Sequence, residues 1–272
     1  MRYLFICFLL PLLAATAESP YQCGHLIEQY LSPIEEIESF SGLDHIDCLY
    51  VINLKERPSR WEHAEKVYQE YNLHPTRMNA VNGWKLSQDE KRALLDPRVF
   101  QSPTLELIGG EVGCLLSHIS IYQDALNRDL SIIWICEDDV KLNSLVYTLP
   151  DILEELSTLD PDWDVLYTDY TRFGAHDQKH RPEQIPFTPI DDAVSTRLSR
   201  IQGRYGTHSM LFSKKGYQKL LAYFYQHCFW SPIDVDLQYA ELREYSVKES
   251  ITHVASFPSD TQPWSSLKNS RL

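Results

Sequence analysis

The stretch "SIIWICEDDV" (131–140) runs from four apolar side chains, Ile132, Ile133, Trp134 and Ile135, through Cys136 into three adjacent carboxylates, Glu137, Asp138 and Asp139. A short, nearly continuous apolar run with β-branched residues predicts a strand buried on both faces. Three neighbouring carboxylates repel one another, so their place at the mouth of such a strand needs a reason. Two readings stand: a solvated turn that ends the strand, or a cation or cationic substrate centre gathered there.

Just upstream, "GGEVGCLLSHISIYQDAL" (109–126) repeats apolar residues at Val112, Leu115, Leu116, Ile119, Tyr122 and Leu126. Steps of three and four predict an amphipathic helix with one buried face. Further back, "IDCLYVINL" (46–54) reads as a buried strand, and 55–71 as a helix with Ser59 and Glu62 at capping-box spacing. "TRMNAVNG" (76–83) reads as a strand ending at Gly83, and Ser87 with Glu90 repeats the capping-box signal. Downstream come a helix at "DILEELSTL" (151–159), a strand at "WDVLYTDY" (163–170), and a stretch over 171–200 with little periodicity, read as a long loop or lid. "THSMLFS" (207–213) is a strand, 214–227 a helix, and "SPIDVDLQYAELREY" (231–245) a helix opened by Ser231 and Pro232. Strands alternating with helices predict an α/β sandwich with a mostly parallel central sheet. Ligands of such sheets bind outside the carboxyl ends of the strands. "CEDDV" lies at such an end, which favours the cation.

The 272 residues are 43% apolar, enough for a sizeable core, and the formal net charge of −13 argues against a nucleic-acid partner. Residues 1–17 have the layout of a secretory signal peptide: Arg2, an apolar stretch to Leu13, and cleavage after Ala17. An uncleaved anchor is the alternative, although the run is short for a bilayer. Residues 18–45 read as a helical N-terminal extension, with an amphipathic segment at 25–40, and 46–272 as the catalytic domain. After such cleavage Cys23, Cys48, Cys114, Cys136 and Cys228 remain; none has C-x-x-C spacing, and export permits a disulfide whose partners are left open.

Glu137 and Asp139 have the E-x-D spacing with which two oxygens chelate one hard cation such as Mn²⁺ or Mg²⁺, phosphate and water filling the remaining positions. On an extended chain these two point to one side and Asp138 to the other, toward a ribose hydroxyl or a backbone amide.

The sequence resembles glycosyltransferase family 25, which includes bacterial lipooligosaccharide galactosyltransferases and the collagen galactosyltransferases. "YVINLKERPSRWE" (50–62) resembles the family's opening strand and turn, and "AVNG" (80–83) its A-x-x-G step. "GGEVGCLLSH" (109–118) is similar to its G-E-x-G-C-x-x-S-H block, and "IIWICEDDV" to its apolar strand with E-D-D. "GTHSMLFSKKGYQKLL" (206–221) and "PIDVDL" (232–237) follow in the family's order. The resemblance implies a GT-A-like fold, a nucleotide-sugar donor, most often UDP-galactose, a Mn²⁺-type ion, and transfer with inversion. It also implies lipopolysaccharide or collagen glycosylation as the setting.

On that resemblance Asp139 is the expected metal ligand, with Glu137 or Asp138 assisting through water or the sugar. Asn53, Arg57 and Arg60 follow the first strand; the two arginines either fork onto a diphosphate or sit at a surface helix start. Asn82 and Gly83 either admit the nucleotide or make a turn. Glu111 and His118 are either donor-site residues or a helix-start carboxylate and a packing residue. Asp234 is the candidate base, competing with a capping role at a helix start; Asp236 and Asp169 are reserves, and His253 and Asp260 possible further ligands. The rival readings are a secreted metal-dependent phosphohydrolase, disfavoured by the lack of clustered His near "CEDDV", and a silent binding or adhesion protein keeping the fold. A signal peptide with a UDP-sugar donor points to the lumen of the endoplasmic reticulum or Golgi, or to export from a bacterium. The acceptor, a glycan or protein hydroxyl, stays open.

Overall fold

The computed structural model describes residues 23–35, 41–101, 107–170 and 190–257. The expected signal peptide, residues 171–189 of the expected lid, and Asp260 lie outside them. In chain order the elements are α1 (Gly24–Ile27), β1 (Cys48–Asn53), α2 (Pro58–Glu70), β2 (Pro75–Asn79), α3 (Gln88–Leu94), α4 (Gly109–Asn127), β3 (Ile132–Glu137), β4 (Val140–Leu142) and α5 (Leu149–Leu159). Then follow β5 (Val165–Tyr167), β6 (Ile190–Ala193), β7 (Leu198–Gln202), β8 (Ser209–Ser213), α6 (Lys214–His227), α7 (Ile233–Asp236), β9 (Glu244–Val247) and β10 (Thr252–Val254).

Eight strands form one sheet in the order β2-β1-β3-β8-β5-β9-β7-β6. β1 pairs in parallel with β2 and β3, and β5 with β9, while β8 and β7 run against their neighbours. Six strands therefore share one direction, which is the mostly parallel α/β sheet expected, and the two reversed strands make its neighbouring pairs mixed. β4 and β10 form a separate antiparallel pair.

Alternation within each strand explains why the sheet is covered on both faces. Tyr50, Ile133, Ile135, Met210 and Phe212 join the core beneath α4 and α6. Leu49, Val51, Trp134, Cys136 and Leu211 join the core beneath α2 and α5. Ile133, Trp134 and Ile135 are all fully buried, each side chain stabilising the fold by roughly 2 kcal/mol or more. The indole N–H of Trp134 donates to Ser209 Oγ across the β3–β8 pair (2.9 Å), so the burial leaves no orphaned donor there.

Three element expectations are corrected. α2 begins at Pro58 with Arg57 as its N-cap and no side-chain cap, so Ser59 does not start it; proline at the first turn fixes the helical φ at no hydrogen-bond cost. The helix expected over 231–245 stops at Asp236, passes through one 3-10 turn, and gives way to β9, which takes the slot between β5 and β7. Residues 190–200, expected as loop, belong to the β6–β7 hairpin at the sheet edge. Ser87 with Glu90 does form the capping box expected for α3. Among its described residues the N-terminal segment is helical over Gly24–Ile27 and a following 3-10 turn, and a Cys23–Cys228 disulfide ties it to the end of α6.

Candidate functional site

A cleft enclosing about 660 Å³, its open mouth included, lies over the carboxyl ends of β1, β2 and β3 and against the first turns of α4. All three carboxylates, Glu137, Asp138 and Asp139, line it. β3 ends at Glu137 and the chain turns at Asp138 and Asp139. Strand alternation therefore no longer governs direction, and Asp138 does not face away as an extended chain would have it.

The cluster is braced by the first strand and the helix after it. Arg60 on α2, almost wholly buried, pairs with both Asp138 and Asp139, its Nη2 lying 3.2 Å from Asp139 Oδ2. Asn53 Nδ2 donates to Asp138 Oδ2 (2.6 Å), while Asn53 Oδ1 accepts from Arg77 (2.6 Å). Asn53 is 1% exposed and sits outside the cleft lining, so it holds the acidic turn in place. Burial raises the carboxyls of Asp138 and Asp139, opposed by Asn53 and Arg60 at the first and by Arg60 and His208 at the second. Burial, reinforced by the charge of Asp139, pushes Glu137 up to about 7.

One oxygen of this cluster, Asp139 Oδ1, is buried without a hydrogen-bond partner. An orphaned carboxylate oxygen beside two further carboxylates is a donor set for a hard cation. Among the described residues, no three His, Cys, Asp or Glu side chains converge as a complete metal cage. The residues thus fit a cation that is shared with the oxygens of a bound ligand rather than caged by the protein alone.

The other expected residues divide. Asn82, Gly83 and Arg60 line the cleft. Asn82 Oδ1 accepts from Trp84 N (3.2 Å), capping the 3-10 turn at Gly83–Lys85. Gly83 is required by packing: a Cβ there would lie 2.0 Å from the carbonyl oxygen of Gly109. Arg57 is exposed and outside the lining, and its carbonyl accepts from Asn53 Nδ2 (3.2 Å). Glu111 Oε2 accepts from Ile108 N (2.9 Å) and so caps α4. His118 does not reach the cleft; it is fully buried in the core with both ring nitrogens unpartnered, and burial holds its pKa down at about 3. His253 is exposed on β10, 3.4 Å from Asn143 Nδ2, and away from the lining.

Asp234, on the short α7, accepts from Gly206 N through Oδ2 (3.0 Å). Cys114 lines the cleft, and its thiol is raised by burial first and then by the charges of Glu137 and Asp234. Asp236 is fully buried and accepts from Trp230 N (3.0 Å) and Ser231 N (3.3 Å), so it pins a loop and leaves the reserve role empty. Asp169 is held by Arg204 Nη2 (2.6 Å) and lies 3.1 Å from His208 Nε2.

Sequence reasoning missed the loop that joins these groups. In "GRYGTH" (203–208), Gly206 has φ +86, a conformation that glycine tolerates, and it aims its N–H at Asp234. Thr207 donates its hydroxyl to Glu137 Oε1 (3.2 Å), and the carbonyl of His208 accepts from Glu137 N (2.9 Å). Gln238 Nε2 then ties the carbonyls of Arg204 and Asp234, each at 3.0 Å. The only signal was that Gly206 opens one of the resembling blocks; a loop has no period to read.

The sequence model of glycosyltransferase family 25 (LPS biosynthesis protein) matches residues 47–237, which contain every residue of the cleft. Procollagen galactosyltransferase 2 of Homo sapiens is 26% identical over 200 residues, covering 71% of this chain and 30% of the relative. Procollagen galactosyltransferase 1-A of Xenopus laevis is 30% identical over 182 residues, 64% of this chain and 28% of its own. Inactive glycosyltransferase 25 family member 3 of Homo sapiens is 34% identical over 127 residues, 44% of this chain and 21% of its own. The chain thus spans less than a third of the length of these relatives. A solved glycosyltransferase involved in glycosylation of the major capsid of PBCV-1 overlays at 13% identity and a TM-score of 0.33 over 65% of each chain, below the level at which a shared fold follows.

Proposed function

The chain belongs to glycosyltransferase family 25, and on that premise we propose that it transfers a hexose, galactose from UDP-galactose, to a hydroxyl of a glycan or protein acceptor with inversion. The observation that carries the reading is the acidic turn at the carboxyl end of β3, lining a cleft with a buried, unpartnered Asp139 oxygen.

The acceptor oxygen attacks the anomeric carbon, the bond from that carbon to the diphosphate breaks, UDP leaves with the bond's electrons, and the hydroxyl proton passes to a base. Asp234 is assigned as that base; the backbone N–H of Gly206 orients the carboxylate. A divalent cation of the Mn²⁺ or Mg²⁺ kind, when bound, supplies positive charge against the leaving diphosphate. Asp139 and Glu137 would hold it. Arg60, paired with Asp138 and Asp139, carries a guanidinium suited to the diphosphate itself. Asp138, held by Asn53 and Arg60, keeps the turn in shape or meets the sugar.

The Cys23–Cys228 disulfide fits an oxidising compartment, and with the expected signal peptide it supports a place in the secretory lumen. No helix among the described residues is long and apolar enough to cross a membrane.

A second reading is a silent member that keeps the cleft without turnover. It is favoured by the pairing of Arg60 with two of the three carboxylates and by the relative named inactive. UDP release from UDP-galactose with Mn²⁺ separates the two. Wild-type turnover that falls at least about a hundredfold in Asp139→Asn supports the transferase. Donor binding without turnover supports the silent module, and full activity in Asp139→Asn removes the assignment of that carboxylate.

A further inference from the structure

The chain returns to the acidic turn after β10, in a segment that has no role in the account above. The β4–β10 pairing puts Val254 opposite Val140, and Ala255 N then donates to the carbonyl oxygen of Asp139 (2.6 Å). Phe257 N donates in turn to the carbonyl oxygen of Ala255 (2.9 Å), closing a three-residue turn. This strap carries the Phe257 ring to α2, where its centroid lies 5.3 Å from Arg60 Cζ. The His63 ring, three residues after Arg60 on the same helix, meets Phe257 edge-on, with centroids 5.2 Å apart and planes at 66°. Phe257 thus sits against both side chains of that helical turn.

The guanidinium it covers is the one that pairs with Asp138 and Asp139. Arg60 is 9% exposed and lines the cleft, whereas Phe257 is 36% exposed and stands outside the lining. Phe257 therefore acts on the cleft through the arginine. A guanidinium over an aromatic face is attracted by the ring, and the more so where water is excluded. The ring in this way restrains a long side chain and keeps its charge at the acidic turn. Arg60 and a divalent cation would share one carboxylate: Arg60 lies 3.2 Å from Asp139 Oδ2, and Asp139 Oδ1 is the buried oxygen without a hydrogen-bond partner. Two positive charges at so short a range repel.

We propose that Phe257 is a positioning residue whose ring holds Arg60 on Asp138 and Asp139, and so sets how strongly the chain's own positive charge competes with a divalent cation for the acidic turn. The inference rests on the cation reading above and adds a residue outside the cleft that governs it.

The test is equilibrium binding of Mn²⁺, without donor, to the full chain and its Phe257→Ala, Phe257→Leu and Phe257→Tyr variants, read from the electron-spin-resonance signal of free Mn²⁺. Each measurement is repeated in an Arg60→Met background. The expected result is Mn²⁺ binding roughly threefold to tenfold tighter in Phe257→Ala than in the wild type. Phe257→Leu, which keeps bulk and loses the π-face, should follow Phe257→Ala, and Phe257→Tyr should match the wild type. In the Arg60→Met background the three substitutions should change nothing, because the side chain through which they act is gone. Unchanged or weaker Mn²⁺ binding in Phe257→Ala overturns the inference and leaves the cation reading intact. An equal gain with and without Arg60 also overturns it, as does wild-type affinity in Phe257→Leu. A chain that binds no Mn²⁺ in any of these forms defeats the cation reading and this inference with it.

Discussion

Arg60 and Asp139, 79 residues apart in the chain, meet at 3.2 Å with side chains only 11% and 13% exposed. The same guanidinium also serves Asp138. An acidic turn of three carboxylates is thus folded around a positive charge that the chain supplies itself.

Removing that charge leaves buried carboxylates uncompensated. Arg60→Met is expected to lower stability by about 3 kcal/mol, the usual scale for breaking a buried pair from one side. Mn²⁺ should then raise the melting temperature of the variant more than that of the wild type, because the freed oxygens bind the ion. Thermal melts with and without Mn²⁺ check this; an unchanged apo melting temperature would contradict it.

The Cys23–Cys228 bridge closes a loop across 205 residues of sequence. Constraining so long a loop in the unfolded chain is worth roughly 2–5 kcal/mol. Cys23→Ser, or reduction of the wild type, is expected to shift the urea midpoint downward by a matching amount. Free-thiol counting should find Cys48, Cys114 and Cys136 reduced in the unreduced protein.

His118 sits in the core with its pKa held at about 3 by burial. The unfolded chain binds this proton near the ordinary value of 6.5 and the folded chain does not. The contribution is complete above about 6.5 and is lost as pH falls toward 3, at about 1.4 kcal/mol per pH unit. His118→Leu should flatten the acid side of the stability profile measured by urea titration; an unaltered slope between pH 6 and 4 would count against it.

Glu244 on β9 has the opposite sign. Burial raises its carboxyl to about 8, with the Tyr167 hydroxyl 3.3 Å away and the Arg204 charge pulling it back. The folded state keeps this proton and the unfolded state releases it near 4.5. Its contribution is therefore full below about 4.5 and is lost as pH rises toward 8, on the order of a few kcal/mol in all. Glu244→Gln should be less destabilised than the wild type on passing from pH 5 to pH 8.

Period and composition carried much of the architecture. The apolar steps of α4 predict the helix with one buried face, whereas it is buried around most of its circumference, Ser117, His118, Ser120 and Ile121 included. The β-branched runs of β1 and β3 state their own burial, because a side chain's face follows from its position in a regular element. The end of β3 was legible for the same reason: a dry strand followed by charge marks the edge of the sheet. β9 was not legible, since "ELREYSV" (241–247) reads equally as a helix tail until β5 and β7 offer it a slot.

The sequence by itself determined that three carboxylates stand at a strand end, and the family to which such an order of blocks belongs. Only the tertiary structure decided what surrounds them: Arg60 from α2, Asn53 from β1 and Thr207 from a loop. Those partners come from separate parts of the chain, and no local period encodes a contact across such separations. Closure of the sheet and the packing of α4 against it create the cleft, so the identity of its walls is a property of the fold.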